Sequence, residues 1–160
     1  MDLMKKEILS HSGRQTKLIG EKLVKEVFTN KREKGSVFSL EGELGSGKTT
    51  FLQGFAKELG VREFIKSPTF VIMKKYRLPI ARKRKMDKKD GPRYFYHFDC
   101  YRITRPMEIL ELGFKEIIED RGNVVTIEWG DKIKEILPSN HLVIKFKFVD
   151  KNIRKIVFKQ

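Results

Sequence analysis

The octapeptide GELGSGKT, Gly42 to Thr49, sets two glycines, a lysine and a hydroxyl residue in the G-x-x-x-x-G-K-[ST] spacing of a phosphate-binding loop. Glycines let consecutive backbone N–H groups turn inward around an anion, and a helix that opens at this point adds its positive end to the same anion. Gly42, Glu43, Leu44, Gly45, Ser46, Gly47, Lys48, Thr49 and Thr50 are therefore the expected phosphate-binding set. Lys48 is placed to bridge the β- and γ-phosphates of a nucleoside triphosphate, and the Thr49 hydroxyl to ligand Mg²⁺. A glycine turn that only joins a strand to a helix would not need every defined position of the motif in register.

Phosphoryl chemistry also needs an acid for the metal and for the attacking water. Glu128 ends the run Val124, Val125, Thr126, Ile127, at the carboxyl end of a buried strand, where open α/β sheets hold their ligands. Its other reading is a solvated charge that begins a loop. Asp99 lies in YHFDCYR, where strand alternation sets His97, Asp99 and Tyr101 on one face and Phe98 and Cys100 on the other. An ion pair with Arg102 would also account for an acid at that position. Lys48, Glu128 and Asp99 are the expected catalytic residues, and Thr49, Glu128 and Asp99 the expected metal ligands. SPTF, Ser67 to Phe70, carries a Thr69 hydroxyl that could reach the γ-phosphate or its metal, although it suits a plain approach to a strand equally well. Trp129 could stack on a ligand or fill the core, and Cys100 reads as a small core residue.

These residues need a scaffold, and the apolar periodicity supplies one. Leu18, Ile19, Leu23, Val24, Val27 and Phe28 make one face of a helix over Lys17 to Phe28, with Thr16 as its cap. Ser36 to Leu40 reads as the strand before the loop, and Phe51, Leu52, Phe55, Ala56 and Leu59 as the buried face of the helix after it. Val71 to Tyr76 and Tyr94 to Tyr101 suit strands, and Met107 to Glu119 suits two short helices split at Gly113. Val124 to Ile127 is a short buried strand, Asp131 to Leu137 a helix stopped by Pro138, and Leu142 to Val149 with Ile153 to Phe158 a hairpin. The expected fold is α/β: a three-layer P-loop NTPase-like fold, with a central mixed sheet, helices on both faces and a C-terminal antiparallel hairpin. Residues 1–160 read as a single domain.

A content of 39% hydrophobic residues with 12 phenylalanines supports a folded core. No apolar run approaches the ~20 residues of a bilayer span, and Met1 to Ser10 lacks the apolar stretch of a signal peptide, so a cytoplasmic protein without membrane contact is expected. One cysteine excludes an internal disulfide, and no Cys/His cluster has zinc spacing. The formal charge of +14 would attract a polyanion such as RNA, or it reflects a lysine-rich solvated surface. Ala81 to Arg93 holds seven basic and two acidic residues with Gly91 and Pro92, as expected of an exposed, mobile basic loop.

Four segments stand in one order: GELGSGKTTF from Gly42, SPTF from Ser67, HFDCYR from His97 and IEWGD from Ile127. Together they resemble the TsaE (YjeE) family, and the likeness runs from Thr16 to the hairpin containing Arg154. The resemblance implies an ATPase that works with TsaB and TsaD to install threonylcarbamoyl on the adenosine next to the anticodon of tRNAs reading ANN codons. It implies ATP and Mg²⁺ as cofactors, with Gly42 to Thr50 around the triphosphate and Thr49, Glu128 and Asp99 around the metal. Thr69 would belong to a switch-like segment, Tyr101, Arg102 and Trp129 would line or support the site, and Thr16 and Arg154 match positions near the nucleotide. tRNA would be met through the complex, with direct electrostatic contact as a further expectation. Cys100, Gly130 and the basic stretch 81–93 depart from the family pattern without touching a phosphate-binding position. Two other readings use the same loop: a nucleotide-gated module for a protein or RNA, and a small-molecule kinase. A GTPase is disfavoured, because the only approach to N-K-x-D is Asn30 to Glu33, ahead of the loop.

Overall fold

The computed structural model describes residues 6–29, 36–66, 71–79 and 91–159. In chain order the elements are β1 (Glu7–Ser10), α1 (Gly13–Thr29), β2 (Ser36–Glu41), α2 (Lys48–Leu59), β3 (Met73–Arg77), β4 (Tyr94–Asp99), α3 (Met107–Leu110), α4 (Phe114–Glu119), β5 (Asn123–Glu128), a 3-10 helix (Gly130–Ile136), β6 (Leu142–Phe148) and β7 (Arg154–Lys159). The described strands form one seven-stranded sheet in the order β1-β7-β6-β2-β5-β4-β3. Its centre is parallel, with β4, β5, β2 and β6 running together. Antiparallel β3 closes one side, and β7 followed by β1 closes the other.

Alternation along the central strands sends neighbouring residues to two separate cores. Phe38, Phe95, Val124 and Ile144 pack with Leu23, Val27, Phe51 and Phe55 of α1 and α2. Val37, Tyr96, Val125 and Ile127 pack on the other face with Ile109 of α3, Phe114 of α4 and Ile133. Every residue of β2 and β5 is buried, as expected of parallel strands covered on both faces. The α/β fold with a mixed sheet between helix layers is therefore the observed one. α1 and α2 meet closely: a Cβ on Gly54 would lie 2.0 Å from the Lys17 carbonyl oxygen, so only glycine admits this approach. That contact sets the position of α2, which begins at Lys48 and carries Thr49.

Two local expectations change. Thr16 is not the cap of α1, which begins at Gly13; the cap is Ser12, whose Oγ accepts the Gln15 backbone N–H at 3.1 Å, while the Gln15 side-chain oxygen accepts the His11 N–H at 2.6 Å. The first bond is that of a capping box, which SGRQ signals, but the returning side-chain bond falls one residue early, on His11 instead of Ser12. Strand β4 stops at Asp99, so Tyr101 lies in a turn and does not continue the alternation. Of the basic stretch, Arg93 is exposed and precedes β4; it donates its backbone N–H to Gly122 at 2.7 Å, and its guanidinium reaches both oxygens of Asp120 at 3.0 Å. Residues 80–90 lie outside the described residues.

Candidate nucleotide site

β2 ends in the glycine-rich loop and α2 follows it directly, so the loop stands at the carboxyl end of the parallel centre. Gly47 holds φ 101°, a left-handed conformation suited to glycine, and α2 has no side-chain cap, which leaves its first N–H groups to face the pocket. A cavity of about 280 Å³ opens here. One wall consists of the loop from Leu44 to Thr50 with Tyr101, Glu128 and Trp129; the other consists of Ser12, Gly13, Thr16 and the β6–β7 turn with Lys151, Asn152 and Arg154.

Lys48 is almost fully buried. Its Nζ donates to the carbonyls of Gly42 at 2.7 Å and Glu43 at 2.8 Å, and stands 4.1 Å from the centroid of the Trp129 ring. Burial lowers its pKa, while the carboxylates of Glu128, Asp99 and Asp131 act in the opposite sense. Trp129 has φ 60° and ψ 38°, a conformation that a bulky residue rarely adopts. Its N–H donates to Leu40 at 2.9 Å and its ring packs on Tyr101 at 5.1 Å, which hold the indole beside the lysine.

Glu128 is 2% exposed, which removes the solvated-loop reading. The Thr49 hydroxyl lies 3.0 Å from each of its carboxylate oxygens. His97, fully buried, brings Nε2 to 3.1 Å from Oε1 of the same carboxylate. Asp99 stands opposite Glu128 in the parallel register of β4 and β5. Its Oδ1 accepts the Tyr101 N–H at 2.9 Å, and it stands behind the pocket wall rather than among the lining residues. A hydroxyl and a buried carboxylate are hard oxygen donors, and two such groups, completed by phosphate and water, suit Mg²⁺. The residues present therefore fit the metal that the loop motif implies.

On the far wall, the β6–β7 turn is held by backbone. Arg154 Nη1 donates to the carbonyls of Asp150 at 2.7 Å and Ile153 at 3.1 Å, and its guanidinium covers the Phe148 ring at 4.5 Å. Thr16 is buried, with its hydroxyl 2.7 Å from that of Ser10.

Residues 10–156 match the family described as "Threonylcarbamoyl adenosine biosynthesis protein TsaE". The chain belongs to the TsaE family. Similar curated proteins carry the name "tRNA threonylcarbamoyladenosine biosynthesis protein TsaE". That of Bacillus subtilis is 40% identical over 78% of this chain and 69% of its own length, and that of Rickettsia typhi is 34% identical over 80% of each. A crystal structure of Bacillus subtilis YdiB superposes with a TM-score of 0.70 at 29% identity, covering 99% of this chain and 86% of the other.

Against the residues expected from sequence, the TsaE-family site brings together the loop from Leu44 to Thr50, Thr16, Glu128, Trp129 and Arg154 around one cavity, with Gly42 and Glu43 holding the Lys48 ammonium from behind. Asp99 lies beside it. Thr69 lies outside the described residues. Ser12, Lys151 and Asn152 line the pocket without having been singled out, because neither a cap nor a hairpin turn has a chemical signature of its own. His97 was placed on the Asp99 face by alternation, yet its contact with Glu128 depends on a strand pairing that no local pattern reveals.

Proposed function

We propose that this chain is the ATP-binding and ATP-hydrolysing subunit of tRNA threonylcarbamoyladenosine biosynthesis, dependent on Mg²⁺ and acting with TsaB and TsaD. The observation that carries the reading is the Thr49–Glu128 contact, which joins the phosphate-binding loop to the end of β5 at the floor of the cavity. Family membership and the printed names of the relatives support the biosynthetic role.

In this reading the loop N–H groups and Lys48 hold the β- and γ-phosphates and stabilise charge that develops on the γ-phosphoryl group. Thr49 and Glu128 would hold Mg²⁺, which would supply neutralisation of the triphosphate charge. Glu128 orients the attacking water and accepts its proton, and Asp99 supports the field around the metal. Water adds to the γ-phosphorus as the bond to the β–γ bridging oxygen breaks, giving ADP and inorganic phosphate. TsaD performs the transfer to tRNA, and the nucleotide cycle here serves assembly or resetting of the complex. Arg154, fastened to the hairpin backbone, contributes charge near the nucleotide. ATP turnover measured with and without TsaB and TsaD tests this reading: stimulation by the partners, abolished by Glu128→Ala, is expected. Turnover unaffected by Glu128→Ala would remove the catalytic assignment, and failure to associate with both partners would remove the biosynthetic one.

A further inference from the structure

The buried histidine beneath the metal-binding carboxylate has no part in the mechanism above, and its surroundings give it one. His97 lies on β4 opposite Thr126, two residues before Glu128 on the adjacent parallel strand, so alternation turns its ring toward the Glu128 side chain from the interior of the sheet. Among the described residues, the hydrogen-bond donors that reach the Glu128 carboxylate are Thr49 Oγ1 from the pocket side and His97 Nε2 from the core side. Among the described residues, buried His97 Nδ1 has no hydrogen-bond partner. A proton on Nδ1 would leave a buried donor without an acceptor and would aim the Nε2 lone pair at a carboxylate oxygen. A proton on Nε2 satisfies the carboxylate and leaves only an acceptor unpaired.

We propose that His97 is a positioning residue for Glu128: its Nε2–H holds Oε1 against the core and so fixes the plane and reach of the carboxylate that meets the metal and the attacking water. The role rests on the ATP site proposed above. Thr49 has two tasks, toward the carboxylate and toward the metal, whereas His97, closed off from the pocket, has one. Groups that orient a ligating carboxylate from behind typically contribute about 10- to 100-fold in metal affinity or activity. A histidine that merely filled space between β4 and β5 would not require its nitrogen to point at Glu128.

Two arms test this. In the free protein, nitrogen-15 histidine NMR should show a hydrogen-bonded Nε2–H proton for His97 that Glu128→Ala abolishes; a resonance indifferent to Glu128→Ala overturns the proposal. In the second arm, Mn²⁺ affinity is read by electron paramagnetic resonance with a non-hydrolysable ATP analogue, and nucleotide affinity is measured without metal. His97→Leu should weaken Mn²⁺ binding about tenfold with metal-free nucleotide affinity unchanged, and His97→Gln, which keeps an N–H donor in place, should recover most of the loss. Equal Mn²⁺ affinity in parent and His97→Leu, or equal loss in both variants accompanied by lowered melting temperatures, reduces His97 to packing. A parent chain that binds no nucleotide refutes the ATP site and the positioning role with it, whereas the NMR arm still shows whether the His97–Glu128 bond exists.

Discussion

On the wall of the pocket formed by β5 and the glycine-rich loop, the functional side chains are largely buried, and the carboxylate at their centre is bonded to side chains on both sides. On the wall formed by the β6–β7 turn, they reach the pocket from the surface and are bonded to backbone. Thr49, Glu128 and His97 form a set in which each group satisfies a neighbour, and buried Lys48 beside them is held by the Gly42 and Glu43 carbonyls under the Trp129 ring. Arg154 instead takes its position from the carbonyls of its own hairpin, and Lys151 is exposed beside it. Burial makes each member of the first set costly to remove, because its partner is left buried and unmatched. The second set is screened by water and salt, so its removal costs little. The function proposed above would place chemistry on the first wall and adjustment of affinity on the second.

That contrast can be broken by experiment. The largest effect is expected from Lys48→Ala, which should reduce ATP affinity by on the order of 100-fold in calorimetric titration, the scale of losing one charge-assisted contact in a desolvated site. A loss no greater than that of an exposed residue would put the two walls on an equal footing. Next, Gly54→Ala should force α2 away from Lys17 and lower stability by about 1–3 kcal/mol in denaturant unfolding, because a methyl group has no room against the α1 backbone. Since α2 carries Lys48 and Thr49, nucleotide affinity should fall with it; unchanged affinity in a destabilised variant would mean that the inner wall tolerates displacement. Arg154→Ala should weaken nucleotide binding only about two- to fivefold, and less at high salt. A loss comparable to that of Lys48→Ala would overturn the contrast. The smallest effect concerns Cys100, just past the end of β4. Burial, with Asp99 adding to it, pushes the Cys100 thiol up to about 12, so at pH 8 it is protonated as well as inaccessible. Alkylation should proceed only after unfolding, and Cys100→Ala should leave nucleotide affinity unchanged.

Much of the inner wall was legible in the sequence because its signals are local. The loop motif occupies eight consecutive residues, and Glu128 follows an apolar run that identifies a buried strand end. The division of Met107 to Glu119 at Gly113 was equally local, since a left-handed glycine stops one short helix before the next begins. What escaped depends on contacts distant in sequence. β1 owes its existence to pairing with β7, and EILS alone does not announce a strand. The His97–Glu128 contact requires the parallel register of β4 and β5 across an intervening helical segment. The left-handed conformation of Trp129 contradicts its residue type and follows from the contacts that fix the strand end, so composition pointed away from it. Thr16 was drawn into the cap position by its hydroxyl, while Ser12 and Gln15 formed the cap one turn earlier.

Trp129 is the sole tryptophan of the chain, and its ring lies 4.1 Å from the Lys48 ammonium. The protein therefore contains its own optical gauge of the proposed phosphate site. Any anion that draws the ammonium off the indole alters the cation's field on the ring, and with a single emitter the change in fluorescence belongs to that one place. Titration of unlabelled protein can follow occupancy continuously, without a dye, a tag or a radioactive nucleotide.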